Sequence, residues 1–84
     1  MRFRFRVNKV WHFQQRGVCH VVGLLEEGGI LPPVTAKIVE HPGETVQIDS
    51  QALGGALPGG QLTFVISHMT MEPQMLEGCL LSDT

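Results

Sequence analysis

The sequence predicts an all-β protein, a small closed six-stranded antiparallel β-barrel that forms one domain over residues 1–84. Short apolar segments with alternating side chains recur about every ten residues, a pattern typical of a small all-β domain. Glycine and proline stand between these segments, where turns need them. At this length a barrel is favoured over a sandwich, and closing the sheet removes edges that would pair with other chains.

The first strand is the clearest element of the sequence. Arginine and apolar residues alternate over residues 2–7, so Phe3 and Phe5 share one face and the arginines take the other. The apolar residues 10–13 either continue this strand or begin a bend. The polar residues 14–17 supply the turn that follows.

The second strand is predicted at residues 18–25 and is apolar on both faces. Val22 and Leu24 lie on one face, and Val21 lies on the other. Because such a strand leaves little room for solvent on either side, we expect it to be an inner strand. The acidic pair and two glycines at residues 26–29 predict a turn.

Further strands are predicted where apolar residues alternate again, at residues 34–40, 45–49, 61–68 and 78–81. A Pro-Gly turn is expected at residues 41–44, and the glycine-rich stretch 54–60 predicts a loop. Pro73 favours a single helical turn over residues 72–76. No other segment predicts a helix.

Composition favours a packed, soluble domain with an apolar surface. Of the 84 residues, 43% are hydrophobic and 17% are charged. So few charges suggest that a second copy or another protein covers part of the surface, and a homodimer is one such arrangement. The first residues lack the apolar core of a signal peptide, and no segment has the roughly 20 apolar residues of a membrane helix. We therefore expect a cytoplasmic protein without membrane contact.

Cysteine and histidine supply the residue types of a zinc site but not its spacing. No C-x-x-C or H-x-x-x-H pair occurs, and Cys19 and His20 point to opposite faces of one strand. We expect no metal and no cofactor, and we expect Cys19 and Cys79 to be buried free thiols. No motif places a nucleophile beside a histidine and a carboxylate, so we expect no enzyme. The remaining histidines, expected to be ordinary partly buried side chains, are His12, His41 and His68.

Charge is unevenly distributed along the chain. Residues 1–25 carry a net charge of +5, and residues 26–84 carry a net charge of −7. On one strand Arg2, Arg4 and Arg6 would lie about 6.7 Å apart, which is comparable to the spacing of phosphates on a stretched single strand. The alternative is a solvated strand face that discourages edge pairing. The candidate nucleic-acid-binding residues are Arg2, Arg4, Arg6, Lys9 and Arg16.

Three methionines stand close together near the end of the chain, at Met69, Met71 and Met75. The methionine side chain is flexible and polarisable, so it adapts well to a contact surface. These residues therefore form a candidate interaction surface. The alternative is that they close one end of the barrel.

Residues 16–23 read R-G-V-C-H-V-V-G, residues 24–30 read L-L-E-E-G-G-I, and residues 77–81 read E-G-C-L-L. This order of parts resembles the second domain of translational GTPases, the β-barrel of elongation factor Tu and its relatives. Members of that family carry a strand written roughly G-R-G-T-V-V-T-G, then a charged pair, a glycine and I-x-x-G, and later R-G-x-V-L. The resemblance spans nearly the whole chain.

The resemblance implies a free-standing barrel of this type. In the family the barrel packs beside a nucleotide-binding domain and, in elongation factor Tu, helps to hold the aminoacylated 3′ end of tRNA. This chain has no G-x-x-x-x-G-K-[ST] motif, so we expect no GTP hydrolysis. We predict a non-enzymatic binding module that recognises RNA or a protein partner through its surface. The alternative is a structural protein that self-associates as a homo-oligomer and has no nucleic-acid role.

Overall fold

The computed structural model of the protein describes residues 2–13, 18–52 and 58–83. Each strand in these residues is antiparallel to its neighbours, and the order β1-β2-β5-β4-β3-β6 closes into a barrel. The predicted fold class, a small closed six-stranded antiparallel β-barrel, is confirmed. The six strands are β1 (Phe3–Phe13), β2 (Val18–Gly28), β3 (Val34–Ile38), β4 (Thr45–Gln51), β5 (Leu62–Met69) and β6 (Leu80–Ser82).

Two short 3₁₀ turns accompany the strands. The turn at Pro73–Leu76 confirms the helical turn that its proline predicted. The turn at Pro58–Gly60 lies in a stretch predicted to be a loop, and the rest of that loop, residues 53–57, lies outside the described residues. The turn predicted at residues 14–17 also lies outside them. Among the described residues, no helix has the length and apolar character needed to cross a membrane.

Alternation of side chains places β1 in the barrel wall. Phe3, Phe5 and Val7 are buried, and the arginines between them lie on the outer face. The pairing of β1 with β2 shifts between Val7 and Lys9. Such a bulge adds one residue to a strand and re-aims the side chains that follow. Beyond it, Val10 is the residue that packs against the core.

Aromatic and branched side chains fill the barrel. The rings of Phe5 and Phe64 meet edge to face, with their centroids 5.2 Å apart and their planes at 88°, an arrangement that adds about 0.5 to 1.5 kcal/mol beyond area burial. Each large buried side chain contributes a further 1.5 to 3 kcal/mol, roughly, by leaving water. The other large side chains of this core include Ile38, Ile48, Ile66, Leu76 and Leu81.

Gly23 lets β1 and β2 approach closely beside the bulge. A side-chain carbon at this position would collide with the carbonyl oxygen of Arg6. Gly28 is restricted in the same way by the carbonyl oxygen of Arg2, and its φ of 71° lies in the left-handed region. Two glycines therefore fix the path of β2 against β1.

β2 is longer than predicted. Residues 26–28 were expected in a turn, but they continue the strand. A second register shift, next to Arg4, keeps Glu27 opposite that arginine and Gly28 opposite Phe3. A bulge of this kind absorbs an extra residue without ending the pairing of the two strands. The prediction of a turn beginning at residue 26 was therefore wrong.

Two other expectations about the strands are corrected. Leu24 is 44% exposed, so the outer face of β2 meets solvent at this position, whereas Val22 on the same face is buried. β3 ends at Ile38 and not at residue 40, because the N–H of His41 donates to the carbonyl of Ile38 and starts the turn. β1 continues to Phe13, which is the first of the two alternatives for residues 10–13. The bounds of β4, β5 and β6 differ from the predictions by one or two residues.

Candidate binding surfaces

The outer face of β1 carries most of the basic side chains predicted to bind nucleic acid. Arg2, Arg4 and Lys9 are exposed, and Arg6 is half-buried. Arg16 lies outside the described residues. The described arginines thus lie on the face that their alternation predicted.

Arg6 is surrounded by acceptors of this chain. Its Nε lies 3.3 Å from Oε2 of Glu26, and its Nη1 lies 3.1 Å from Oε2 of Glu40. Nη1 also donates to the carbonyl of Gly78 at 3.0 Å. The pKa of the guanidinium is raised, chiefly by its hydrogen bond to Glu26. Three of its five N–H donors are therefore engaged before any phosphate arrives.

Glu40 connects this arginine to the closing strand of the barrel. Its Oε1 accepts the N–H of Leu80 at 2.8 Å, while its Oε2 faces Arg6. The hydrogen bond from Leu80 is the main reason that the pKa of Glu40 is lowered. Since β6 has only three residues, this hydrogen bond helps to hold a short strand in the barrel. Arg6 therefore has a structural role here, because it pairs with the same carboxylate.

The other described cations of this face also have close neighbours. Arg4 lies opposite Glu27 on β2. Nζ of Lys9 lies 5.4 Å from the centre of the Trp11 ring, a cation–π contact. The ring itself is 46% exposed. Carboxylates thus interrupt the row of basic side chains on β1.

The structure brings the three predicted interaction residues together at one end of the barrel. Met69 is the last residue of β5, Met71 lies two residues after it, and Met75 lies in the second 3₁₀ turn. Two adjoining cavities of about 280 and 500 Å³ share Met69 and Met71 in their linings, and the larger one is also lined by Met75. We call these two cavities the methionine groove. Its other lining residues include Cys19, His41, Glu44, His68 and Glu72.

The methionines differ in exposure. Met69 and Met71 pack against the core from one side, so they close the end of the barrel as well as line the groove. Met75 is 51% exposed. The groove therefore combines two partly buried methionines that pack against the core with a more exposed methionine at its rim.

Both thiols lie beside the groove methionines. Sγ of Cys19 is 3.8 Å from Sδ of Met69, and the thiol of Cys79 donates to the carbonyl of Met75 at 3.2 Å. Burial raises the pKa of both thiols. The prediction of buried free cysteines is confirmed. A buried thiol with a raised pKa is a weak nucleophile, so these residues act as small apolar parts of the wall.

Sequence reasoning did not identify Glu44 as a site residue. It lies in the turn before β4, and its Oε2 is shielded from solvent and has no hydrogen-bond partner among the described residues. The sequence marks it only as part of the Pro-Gly turn, because its place in the groove depends on residues more than twenty positions away. Sequence reasoning also did not foresee that Trp11 would be exposed beyond the bulge.

The described residues contain no group of three histidine, cysteine or acidic side chains placed to hold a metal ion. Methionine and acidic side chains line the groove, and on β1 the ion pairs of the described residues are those of Arg6 with Glu26 and Glu40. Comparisons of the chain with protein-family models, with curated proteins and with solved structures gave no match.

Proposed function

We propose that the protein is a non-enzymatic binding module that recognises a protein partner through the methionine groove. The observation that carries this proposal is the meeting of Met69, Met71 and Met75 around two adjoining cavities at one end of the barrel. Methionine side chains adapt to differently shaped apolar partners, and for that reason they are common at protein-binding surfaces. The partner's apolar side chains fill the groove.

A protein partner fits this groove better than RNA does. Glu44 and Glu72 line the larger cavity, and carboxylates repel phosphate groups. The basic face of β1 is also a poor site for RNA at Arg6, because the guanidinium of Arg6 already pairs with two carboxylates. RNA binding through β1 and the resemblance to the translational GTPase barrel stay predictions of the sequence.

Site-specific photo-crosslinking in cells of the source organism tests the proposal. We expect p-benzoylphenylalanine in place of Met75 to give a discrete adduct with another protein, because this position stands at the rim of the groove. The same residue in place of Leu31, which is 69% exposed and lies outside the groove lining, should give no such adduct. The purified partner should then reproduce the crosslink at position 75 alone.

Three other results would count against the proposal. Adducts of equal yield at positions 75 and 31 would mean that the partner does not bind preferentially at the groove. An adduct between two copies of this chain would favour the self-associating alternative. Crosslinks to RNA alone would favour the nucleic-acid alternative.

A further inference from the structure

The backbone holds Glu44 at the edge of the methionine groove. Its N–H donates to the carbonyl of His41 at 3.1 Å, and its own carbonyl accepts the N–H of Ile38 at 3.3 Å. Its side chain lines the larger cavity together with Met75 and Glu72. The turn between β3 and β4 thus presents this carboxylate in a defined position.

One carboxylate oxygen of Glu44 lacks a partner. Oε2 is shielded from solvent, and no hydrogen bond from the described residues reaches it. A charged oxygen that is removed from water without a donor costs free energy. The terminal torsion of a glutamate is broad and two-fold, so a rotation exchanges its two oxygens at little cost. Such a rotation leaves one oxygen shielded, so a donor arriving in the groove would pair with the other oxygen of this carboxylate.

The charge of the larger cavity favours a cation. Among the described residues that line it, Glu44 and Glu72 are acidic and none is a lysine or an arginine. A concave site of one sign attracts the opposite charge. Since no three metal-ligating groups come together in the described part of the chain, a positive side chain fits this site better than a metal ion.

We infer that the segment bound in the methionine groove carries a lysine or arginine that pairs with Glu44, while its apolar side chains contact the methionines. This inference rests on the proposed function, a protein partner in the groove. An ammonium or guanidinium group donates a charge-assisted hydrogen bond to the carboxylate of Glu44 and offsets the negative charge of Glu44 and Glu72. An acidic segment would place a third negative charge beside them. The groove thus selects apolar segments that bear a positive charge.

Selection from a displayed library of short random peptides on the purified full chain tests this inference. We expect the enriched peptides to be apolar and to contain lysine or arginine more often than the starting library does. For a synthetic peptide of this kind, replacing its basic residue by glutamine should weaken binding by about tenfold or more. Glu44→Gln should weaken the original peptide to a similar degree. Glu27→Gln, which removes an exposed carboxylate of β2 outside the groove lining, should not.

Two results separate failure of this inference from failure of the proposed function. If binding is lost in Met75→Ala and kept in Leu31→Ala, but neither the peptide's charge nor Glu44→Gln matters, the pairing with Glu44 is wrong and the groove still binds protein. If no peptide is enriched, or if binding ignores Met75→Ala, both proposals fall. The variant peptide is measured with the wild-type protein, so this test of the charge pairing remains valid even if a protein variant does not fold.

Discussion

Gly23 is the residue on which the close approach of β1 and β2 depends. We expect Gly23→Ala to lower the free energy of unfolding by about 1 to 3 kcal/mol, because the added carbon overlaps the carbonyl of Arg6 and the backbone must shift. Gly29→Ala is the matched control. Nothing lies within 4 Å of a carbon added there, so its effect should stay below about 0.5 kcal/mol. Urea unfolding measures both, and equal stabilities would contradict the close approach.

The thiols of Cys19 and Cys79 should react slowly in the folded protein. Both are buried, and burial raises the pKa of each, so little thiolate forms at neutral pH. We expect iodoacetamide to label them much faster in urea than in buffer, as followed by mass spectrometry. Labelling in buffer at the rate of the unfolded chain would show that the end of the barrel is open.

Single residues were predictable where one strand decides their environment. The burial of Phe5 and Val7 follows from alternation alone. The exposure of Trp11 does not, because a bulge before Lys9 reverses which residues face outward. The place of Glu44 in the groove depends on residues 69–75 as well as on its own turn, and no local pattern encodes such a meeting.

At the scale of elements, β6 depends on a side chain outside it. Glu40→Gln keeps a carbonyl oxygen for the N–H of Leu80 but removes the charge that faces Arg6. We expect this variant to unfold at a lower urea concentration than the wild type at neutral pH. The shift should be smaller than for a buried ion pair, because both side chains are 41% exposed.

The stability difference between wild type and Glu40→Gln should depend on pH. Folding lowers the pKa of Glu40, so its contribution is complete above the ordinary glutamate pKa of about 4.3 and is lost as the pH falls through the lowered pKa. The two proteins should therefore converge at acidic pH. Asp49→Asn removes an exposed carboxylate of β4 outside this cluster and should cost little at neutral pH. A difference that persisted unchanged into acid would contradict this role of the charge.

The elements themselves were predictable to the degree that they are regular. The buried positions alternate from Phe3 to Val7 in β1 and at Phe64 and Ile66 in β5, so both strands and these parts of their inner faces could be read from the sequence. The end of β2 could not, because its last residues stay paired through a bulge that looks like a turn in the sequence. The three residues of β6 are a strand only because β1 and β3 lie on either side of them.

At the scale of the whole molecule, the uneven distribution of charge along the chain does not become one basic surface among the described residues. Glu26, Glu27 and Glu40 lie beside the arginines of β1. We therefore expect titration with single-stranded RNA to give no saturable change in the fluorescence of Trp11, the single tryptophan, at micromolar concentrations. Saturable binding that falls steeply between about 50 and 200 mM salt, and that is weakened by Arg4→Ala, would contradict this expectation.

The closed barrel was predictable from the spacing of strands and turns, whereas the choice of binding surface was not. Both candidate surfaces were visible as residue types, arginines at one end of the chain and methionines at the other. The fold places the arginines and the methionines in different surroundings. It places Glu26 and Glu40 beside Arg6, and it places Glu44 of another turn beside the methionines. Neither contact is visible in the sequence around the arginines or the methionines.

Methionine methyl NMR of the purified protein, titrated with an apolar lysine-containing peptide from the library selection, tests the use of the groove most directly. Each methyl group reports on its own surroundings. We expect the signals of Met69, Met71 and Met75 to shift and saturate together, while the indole signal of Trp11 on β1 stays in place. Unchanged methionine signals with a saturating shift at Trp11 would contradict binding in the groove.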